Sequence, residues 1–284
     1  MDSWQVYSAG AKFALYIATL GAVGICFNAL LFKQLVSTAV YRRCIILFAI
    51  SGMFATLASF LLRGASLLGN WSGALDPEIL GILWETPVGS VIIYRLVGFT
   101  LILAGMLNPS RGLWLAVFGG ILVLCSFTQI GHVADRSSFL IQFVLLQHLA
   151  VASFWIGVLI PLSDLARDPK TSEQAGKLGH RFGQVAAWLI PSLLLAGVYL
   201  TWQLVGGFSG FASPYGLMLL AKLLFVVLLL GLGAANKFRF VPALMSRDPV
   251  SARHLSNIIV IEGATVLAVL AATALLTSAF SPLG

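Results

Sequence analysis

Hydrophobic residues in this sequence fall in long, nearly uninterrupted blocks instead of recurring at helical or strand spacing. Each block approaches the ~20 residues that a bilayer-spanning helix requires. The blocks are residues 9–32, 44–62, 88–107, 113–130, 139–162, 183–204, 215–235 and 257–279. They are too long for barrel strands, and lipid offers no partner for an unpaired backbone group. The pattern therefore predicts an all-α, polytopic membrane protein of about eight transmembrane helices, forming a single domain over 1–284.

Composition agrees with this pattern and excludes other classes of protein. The chain is 59% hydrophobic and only 10% charged, whereas a soluble domain carries about 25% charged residues. Its formal charge of +7 is scattered over short loops, so no basic patch suggests a nucleic-acid partner. The sequence has no phosphate-binding loop of the GxxxxGK[ST] type, so we do not expect direct pumping driven by a nucleotide.

The basic residues alternate between connections and so predict an orientation. The odd-numbered connections carry Lys33, Arg42, Arg43, Arg111, Arg167, Lys170, Lys177, Arg181, Lys237, Arg239, Arg247 and Arg253. The even-numbered connections carry only Arg63 and Arg136. By the positive-inside rule the odd connections are cytoplasmic. Both termini are then predicted to lie on the periplasmic side.

Several side chains with metal-binding chemistry fall in the outer half of the predicted spans. His132 ends the fourth span, Cys125 lies two turns deeper on the same face, and His148 falls at a similar depth in the fifth span. Met53 and Met218 share that depth in the second and seventh spans. Imidazole, thiolate and thioether groups suit copper, so these five residues form a predicted outward-facing copper site. Each also has a packing alternative, because histidine, cysteine and methionine all occur in apolar cores.

Buried charges form a second set of candidates, because ionisable groups inside a membrane are costly. Arg95 and Lys222 fall at similar depth in the outer half, and Glu262 lies nearer the cytoplasm. We therefore expect that Lys222 and Glu262 do not pair directly. Arg95 and Lys222 would either support the metal site or hold the bundle together by bonding to backbone carbonyls and loop acids. In the first case they need offsetting carboxylates, for which the outer loops offer Asp76, Glu78, Glu85 and Asp135.

Short motifs in a fixed order resemble the CopD (PcoD-like) family of copper resistance membrane proteins. They are Thr86-Pro87-Val88-Gly89 with Arg95, Gly131-His132, His148-Leu149-Ala150, Trp155-Ile156-Gly157-Val158-Leu159, Arg181-Phe182, Pro214-Tyr215-Gly216, Leu219-Leu220-Ala221-Lys222, Asn236-Lys237-Phe238-Arg239 with Pro242, Glu262, and Thr273-Ala274-Leu275 with Pro282. The agreement covers residues 84–284. The first 80 residues resemble the family only in being apolar helices.

This resemblance implies a role in copper homeostasis, with eight helices in a bacterial inner membrane. Members of the family are thought to move copper between periplasm and cytoplasm, by import in some accounts and export in others. They often work beside a small periplasmic copper-binding protein, CopC, which would here be a separate chain. The resemblance thus implies copper as the cargo. In the leading interpretation, His132 receives copper at the outer face and passes it to His148, with Cys125, Met53 or Met218 completing the shell.

Two alternatives of other classes stay open. The first is an enzyme, a haem-binding membrane oxidoreductase, since histidines in membrane bundles ligate haem iron. His132 and His148 lie about 15 Å apart in depth at 1.5 Å per residue, which disfavours a pair of axial ligands within this chain. The second is a scaffold or sensor that does not transport and docks a periplasmic partner on its outer loops. The leading interpretation is not enzymatic.

Overall fold

The computed structural model describes residues 3–35, 38–108, 112–131, 138–168, 170–242 and 249–280, and all regular structure in these ranges is helical. The helices are α1 (Ser3–Phe32), α2 (Thr38–Leu68), α3 (Pro77–Trp84), α4 (Pro87–Gly105), α5 (Gly112–Cys125), α6 (Phe139–Arg167), α7 (Ser172–Val205), α8 (Pro214–Ala235) and α9 (Pro249–Ala279). Short 3₁₀ turns follow α2, α5 and α7, and a π-helical turn, Asn236–Phe240, continues α8.

Seven of these helices are long and apolar enough to cross a membrane, and α5 with its 3₁₀ extension forms a shorter apolar helix, Gly112–Thr128. The predicted all-α polytopic membrane fold is therefore confirmed. Six of the eight predicted spans lie inside one helix, and the spans 88–107 and 113–130 each run two residues past the helix end. Several helices run past the predicted boundaries. α7 begins at Ser172 instead of residue 183, and α2 continues to Leu68, because hydropathy marks the apolar stretch and not the helix ends.

The helix α1 occupies the centre of the bundle and α8 its periphery. In the most apolar stretch of α1, 72% of residues are buried, against 6% for α8. The main apolar cluster joins α1 to α2, α4, α5, α6, α7 and α9. Two smaller clusters lie apart from it, one around Val205, Tyr215, Leu219 and Leu276 and one around Ile141 and Leu200. The outer faces of α7 and α8 are thus left for lipid.

Small residues allow a close helix crossing between α1 and α6. A methyl group built at Gly24 would overlap the carbonyl oxygen of Ser153, and one built at Gly157 would overlap the backbone of Gly24. Asn28 adds hydrogen bonds from Nδ2 to the carbonyl oxygens of Gly24 (2.8 Å) and Phe154 (2.9 Å). Small residues and polar bonds of this kind drive helix association in lipid, where burial of apolar surface supplies little.

We call the end of the bundle at which α1 begins the upper end and the opposite end the lower end. At the upper end the rings of Trp4, Tyr7 and Trp71 lie within 6.0 Å of one another, which is typical of an aromatic belt. Asp76 caps α3 there by accepting from the backbone N–H groups of Glu78 and Ile79. α4, α6 and α8 also begin at this end.

Candidate functional site

The five predicted copper ligands do not lie in one described cluster. His132 lies outside the described residues, as does Asp135. Met53 packs against the main apolar cluster, whereas Met218 packs against the separate cluster around Tyr215 and Leu219. Within the described ranges, no three His, Cys, Asp or Glu side chains are grouped so that they could hold a metal ion. The two methionines therefore sit in different apolar surroundings and do not share a shell.

Cys125 is the last residue of α5, where the chain tightens into the 3₁₀ turn Ser126–Thr128. Its thiol is free and half-buried. The backbone carbonyl of Cys125 accepts a hydrogen bond from the Thr128 hydroxyl at 2.8 Å. The turn thus fixes the backbone of Cys125, while its sulfur is not committed to a disulfide.

His148 lies on α6 and faces α7. It falls about 14 Å below the upper end of α6 at 1.5 Å per residue. The edge of its ring approaches Gly197, where an added Cβ would lie 3.5 Å from Cε1 and 3.9 Å from Nδ1. The backbone of Leu193 also influences the ring electrostatically, and Nδ1 is buried without a hydrogen-bond partner among the described residues.

A buried ring nitrogen without a partner can act as a ligand. In the neutral tautomer that carries its proton on Nε2, the imidazole has its lone pair on Nδ1. In the described part of the chain, the other buried polar side-chain atoms without a partner are all oxygens, those of Thr19, Asn28, Tyr41, Asn236 and Ser278.

Lys222 of α8 lies within electrostatic range of the His148 ring. It falls about 12 Å below the start of α8, so the two side chains share a depth. A positive charge at this position opposes the binding of a cation at Nδ1. Gln147, the neighbour of His148, instead donates from Nε2 to the Ser192 hydroxyl at 2.8 Å and ties α6 to α7.

Glu262 is deeply buried on α9, with 2% of its surface exposed. Its two carboxylate oxygens accept from different helices: Oε1 from Trp155 Nε1 of α6, and Oε2 from Asn236 Nδ2 at the end of α8, both at 2.6 Å. Among the described residues the one ion pair within 4.0 Å is Lys177–Glu173, so Lys222 does not pair with Glu262, as its depth predicts. Sequence reasoning missed this three-helix junction, although all three residues fall in the CopD-like motifs.

Arg95 holds helices together near the upper end. It is 6% exposed, donates from Nε to the Ser126 hydroxyl at 2.9 Å, and places its guanidinium 4.7 Å from the centre of the Phe127 ring. In the described ranges it forms no ion pair with Asp76, Glu78 or Glu85. These contacts agree with the alternative in which Arg95 holds the bundle together. Its partners are a hydroxyl group and an aromatic ring instead of the expected backbone carbonyls and loop acids. Lys12 similarly donates to the Thr277 carbonyl and ties α1 to α9.

Comparison with known protein families shows which family the chain belongs to. Residues 1–141 match the family Copper resistance protein D-like, N-terminal domain. Residues 176–276 match the family Copper resistance protein D. The chain belongs to the CopD-like copper resistance family. The N-terminal match begins at residue 1, so the expectation that the first 80 residues resemble the family only as apolar helices was wrong.

Membership of the CopD-like family identifies a copper resistance membrane protein. No curated protein and no solved structure matches this chain, so its fold and site are described from this chain alone. The two family matches meet in the structure, because α1 and α2 from the first share the main apolar cluster with α7 and α9 from the second. His148 lies on α6, between the two matched ranges.

Proposed function

We propose that this protein binds copper inside the membrane at His148 and moves it between the two sides, as a transporter and not an enzyme. The observation that carries the proposal is the buried, unpartnered Nδ1 of His148 in a chain of a copper resistance family. Imidazole nitrogen binds copper well. A buried acceptor nitrogen without a partner costs free energy, and a bound cation would recover it.

Lys222 would keep copper from binding too tightly at His148. A site on a transport pathway must bind the ion strongly enough to take it up and weakly enough to release it. An imidazole ligand favours the cation, and the ammonium group at the same depth opposes it. We infer that His148 and Lys222 together set a moderate affinity.

The other ligands are proposed in order along the path. His132 receives copper at the upper, periplasmic face. The thiol of Cys125 is the proposed sulfur ligand closest in sequence to His132. Since Met53 and Met218 pack in separate clusters, at most one of them would complete a shell at His148.

We also propose that the chain forms one transmembrane domain in a bacterial inner membrane, with both termini periplasmic. A separate CopC-like protein would exchange copper with it on that side.

A copper titration of purified protein tests the proposal. The wild type in detergent should bind cuprous ion in competition with a chromogenic chelator, and His148→Ala should lose that binding. Gln147→Ala is the matched control, because it removes a polar contact between α6 and α7 one residue away and should retain copper. Unchanged copper binding in His148→Ala would refute the proposal. A Soret band in the absorbance spectrum of the purified wild type would favour the haem alternative.

Flux into proteoliposomes tests the transport step separately. Vesicles that contain the wild-type protein should take up copper faster than empty vesicles. His148→Ala vesicles should match the empty ones, and Gln147→Ala vesicles should match the wild type. Binding without any flux above the empty vesicles would support the scaffold or sensor alternative.

A further inference from the structure

A groove with a volume of about 510 Å³ lies at the lower end of the bundle. It lies between the first half of α7 and the π-helical turn that follows α8. Two adjacent rows of α7 residues line it, because positions four apart share a helix face. One row is Gly179, Gly183 and Ala187, and the other is His180, Gln184 and Trp188. Lys237, Phe238, Val241 and Pro242 line the opposite wall.

The small residues form the floor of the groove. A Cβ added at Gly183 would lie 3.5 Å from Cγ of Lys237, and one at Gly179 would lie 2.6 Å from Cγ2 of Val241. The two glycines thus let the α8 side approach α7 closely. The stem of Lys237 lies along this floor, and its ammonium group stays exposed, 5.4 Å from the centre of the Phe238 ring.

The groove is polar at one end and apolar at the other. His180 and Gln184 are hydrogen-bonded to each other at 3.3 Å beside the Lys237 wall. Trp188 lies about 12 Å further along α7, and its ring is 85% exposed. Phe238 is 75% exposed. Within a bilayer this order puts the polar groups at headgroup level and the Trp188 ring against the acyl chains.

The charge at this end is positive. Arg181 and Arg239 are exposed at the same end of the bundle as Lys237. Lys177, one turn before Arg181, forms the ion pair with Glu173. Basic pockets between transmembrane helices bind anionic lipid headgroups. A volume of this size also falls in the range of small-molecule sites. The groove therefore combines an anion-binding end with an apolar wall, the two parts of a phospholipid.

We propose that this groove is a binding site for an anionic phospholipid, with the phosphate of its headgroup at Lys237 and His180 and an acyl chain along Trp188. The site is separate from His148, which lies in the upper half of α6. Lipid bound there would join α7 to the end of α8, next to Asn236 and its bond to Glu262. The proposal does not depend on copper transport.

Native mass spectrometry of the detergent-purified, delipidated protein tests the proposal. The probes are phosphatidylglycerol and phosphatidylcholine with the same acyl chains. The wild type should bind one phosphatidylglycerol about fivefold more tightly than phosphatidylcholine, given about 1 kcal/mol for each cationic side chain near the headgroup. Lys237→Glu should abolish this preference. Lys177→Gln, a change of charge at the same end outside the groove, should retain it.

Two further arms make the assignment specific. Gly183→Leu would fill the groove without changing its charge, and it should weaken the binding of both lipids. Glycerol 3-phosphate at millimolar concentration should fail to displace the lipid. If it displaced phosphatidylglycerol, the groove would be a site for a free phosphate compound, and the proposal would be overturned. Equal affinity of the wild type for the two lipids, or an unchanged preference in Lys237→Glu, would overturn it as well.

Discussion

Glu262 and His148 are both polar side chains inside membrane-spanning helices of the second half, and their surroundings differ. Both carboxylate oxygens of Glu262 accept hydrogen bonds, from Trp155 and Asn236. The Nδ1 of His148 has no partner among the described residues and lies near Lys222. A buried group whose partners are all supplied by the protein stabilises the fold, whereas one left without a partner has capacity for a ligand.

Depth separates the two regions as well. Glu262 falls about 26 Å below the upper end of α9, and His148 about 14 Å below that of α6. The lower region joins α6, α8 and α9 around one carboxylate, and the upper region leaves Nδ1 of His148 without a partner near Gly197. We therefore expect substitutions at the lower junction to change stability and substitutions around His148 to change copper affinity.

The largest expected effect is on stability, in Glu262→Leu. This change leaves the Trp155 N–H and the Asn236 amide buried without an acceptor. The free energy of unfolding should fall by about 2–4 kcal/mol, measured by denaturation in mixed micelles. Glu262→Gln keeps one acceptor oxygen and should lose about half as much. A folded Glu262→Leu protein that binds no copper would give the carboxylate a functional role and break the comparison.

Lys222→Met should raise copper affinity. Removing the positive charge near His148 removes a repulsion, and we expect the dissociation constant for cuprous ion to fall about tenfold. Competition titration with a chelator measures this change. Exposed Lys177→Met, at the far end of the bundle, is the control and should not alter affinity. Weaker binding in Lys222→Met would mean that the lysine supports the site instead of opposing it.

Trp155→Phe should cost about 1 kcal/mol of stability, since it removes one of the two hydrogen bonds to Glu262 and keeps an aromatic ring beside Gly233. The same denaturation assay measures the loss. Copper affinity should stay at the wild-type value. A loss as large as that of Glu262→Leu would show that ring packing, and not the hydrogen bond, dominates the junction.

Gly197→Ala should have the smallest effect. The added methyl group would sit in ordinary contact with the His148 ring, 3.9 Å from Nδ1, and should weaken copper binding about threefold, or roughly 0.6 kcal/mol. Gly231→Ala is the matched control, because a Cβ there would meet no atom within 4 Å. Equal copper affinity in the two variants would place the metal away from this side of the ring.

The helices were largely predictable from the sequence, because in lipid each apolar block of sufficient length must satisfy its own backbone. The short helix α3 was not predicted, since its eight residues are too few to form a membrane-spanning block. Its start is fixed locally by the Asp76 cap and by Pro77. The early start of α7 at Ser172 was also missed, because a helix that leaves the apolar layer carries no hydropathy signal.

The candidate site was predictable only in part. The depth rule put His148 and Lys222 in the outer half of the membrane and kept Lys222 from Glu262, since helical rise converts residue number to depth. Rotation about each helix axis has no such rule, so the sequence did not show that Trp155 and Asn236 turn towards Glu262. For the same reason it grouped Met53 with Met218, which pack in different clusters.

X-ray absorption at the copper edge of the loaded protein tests the central claim most directly. The account predicts an imidazole nitrogen bound to the metal in the wild type and in Glu262→Gln, and no copper signal with bound imidazole in His148→Ala, which should not retain the metal. A spectrum of the wild type without imidazole, or one that His148→Ala leaves unchanged, would contradict the assignment of Nδ1 of His148 as the copper ligand.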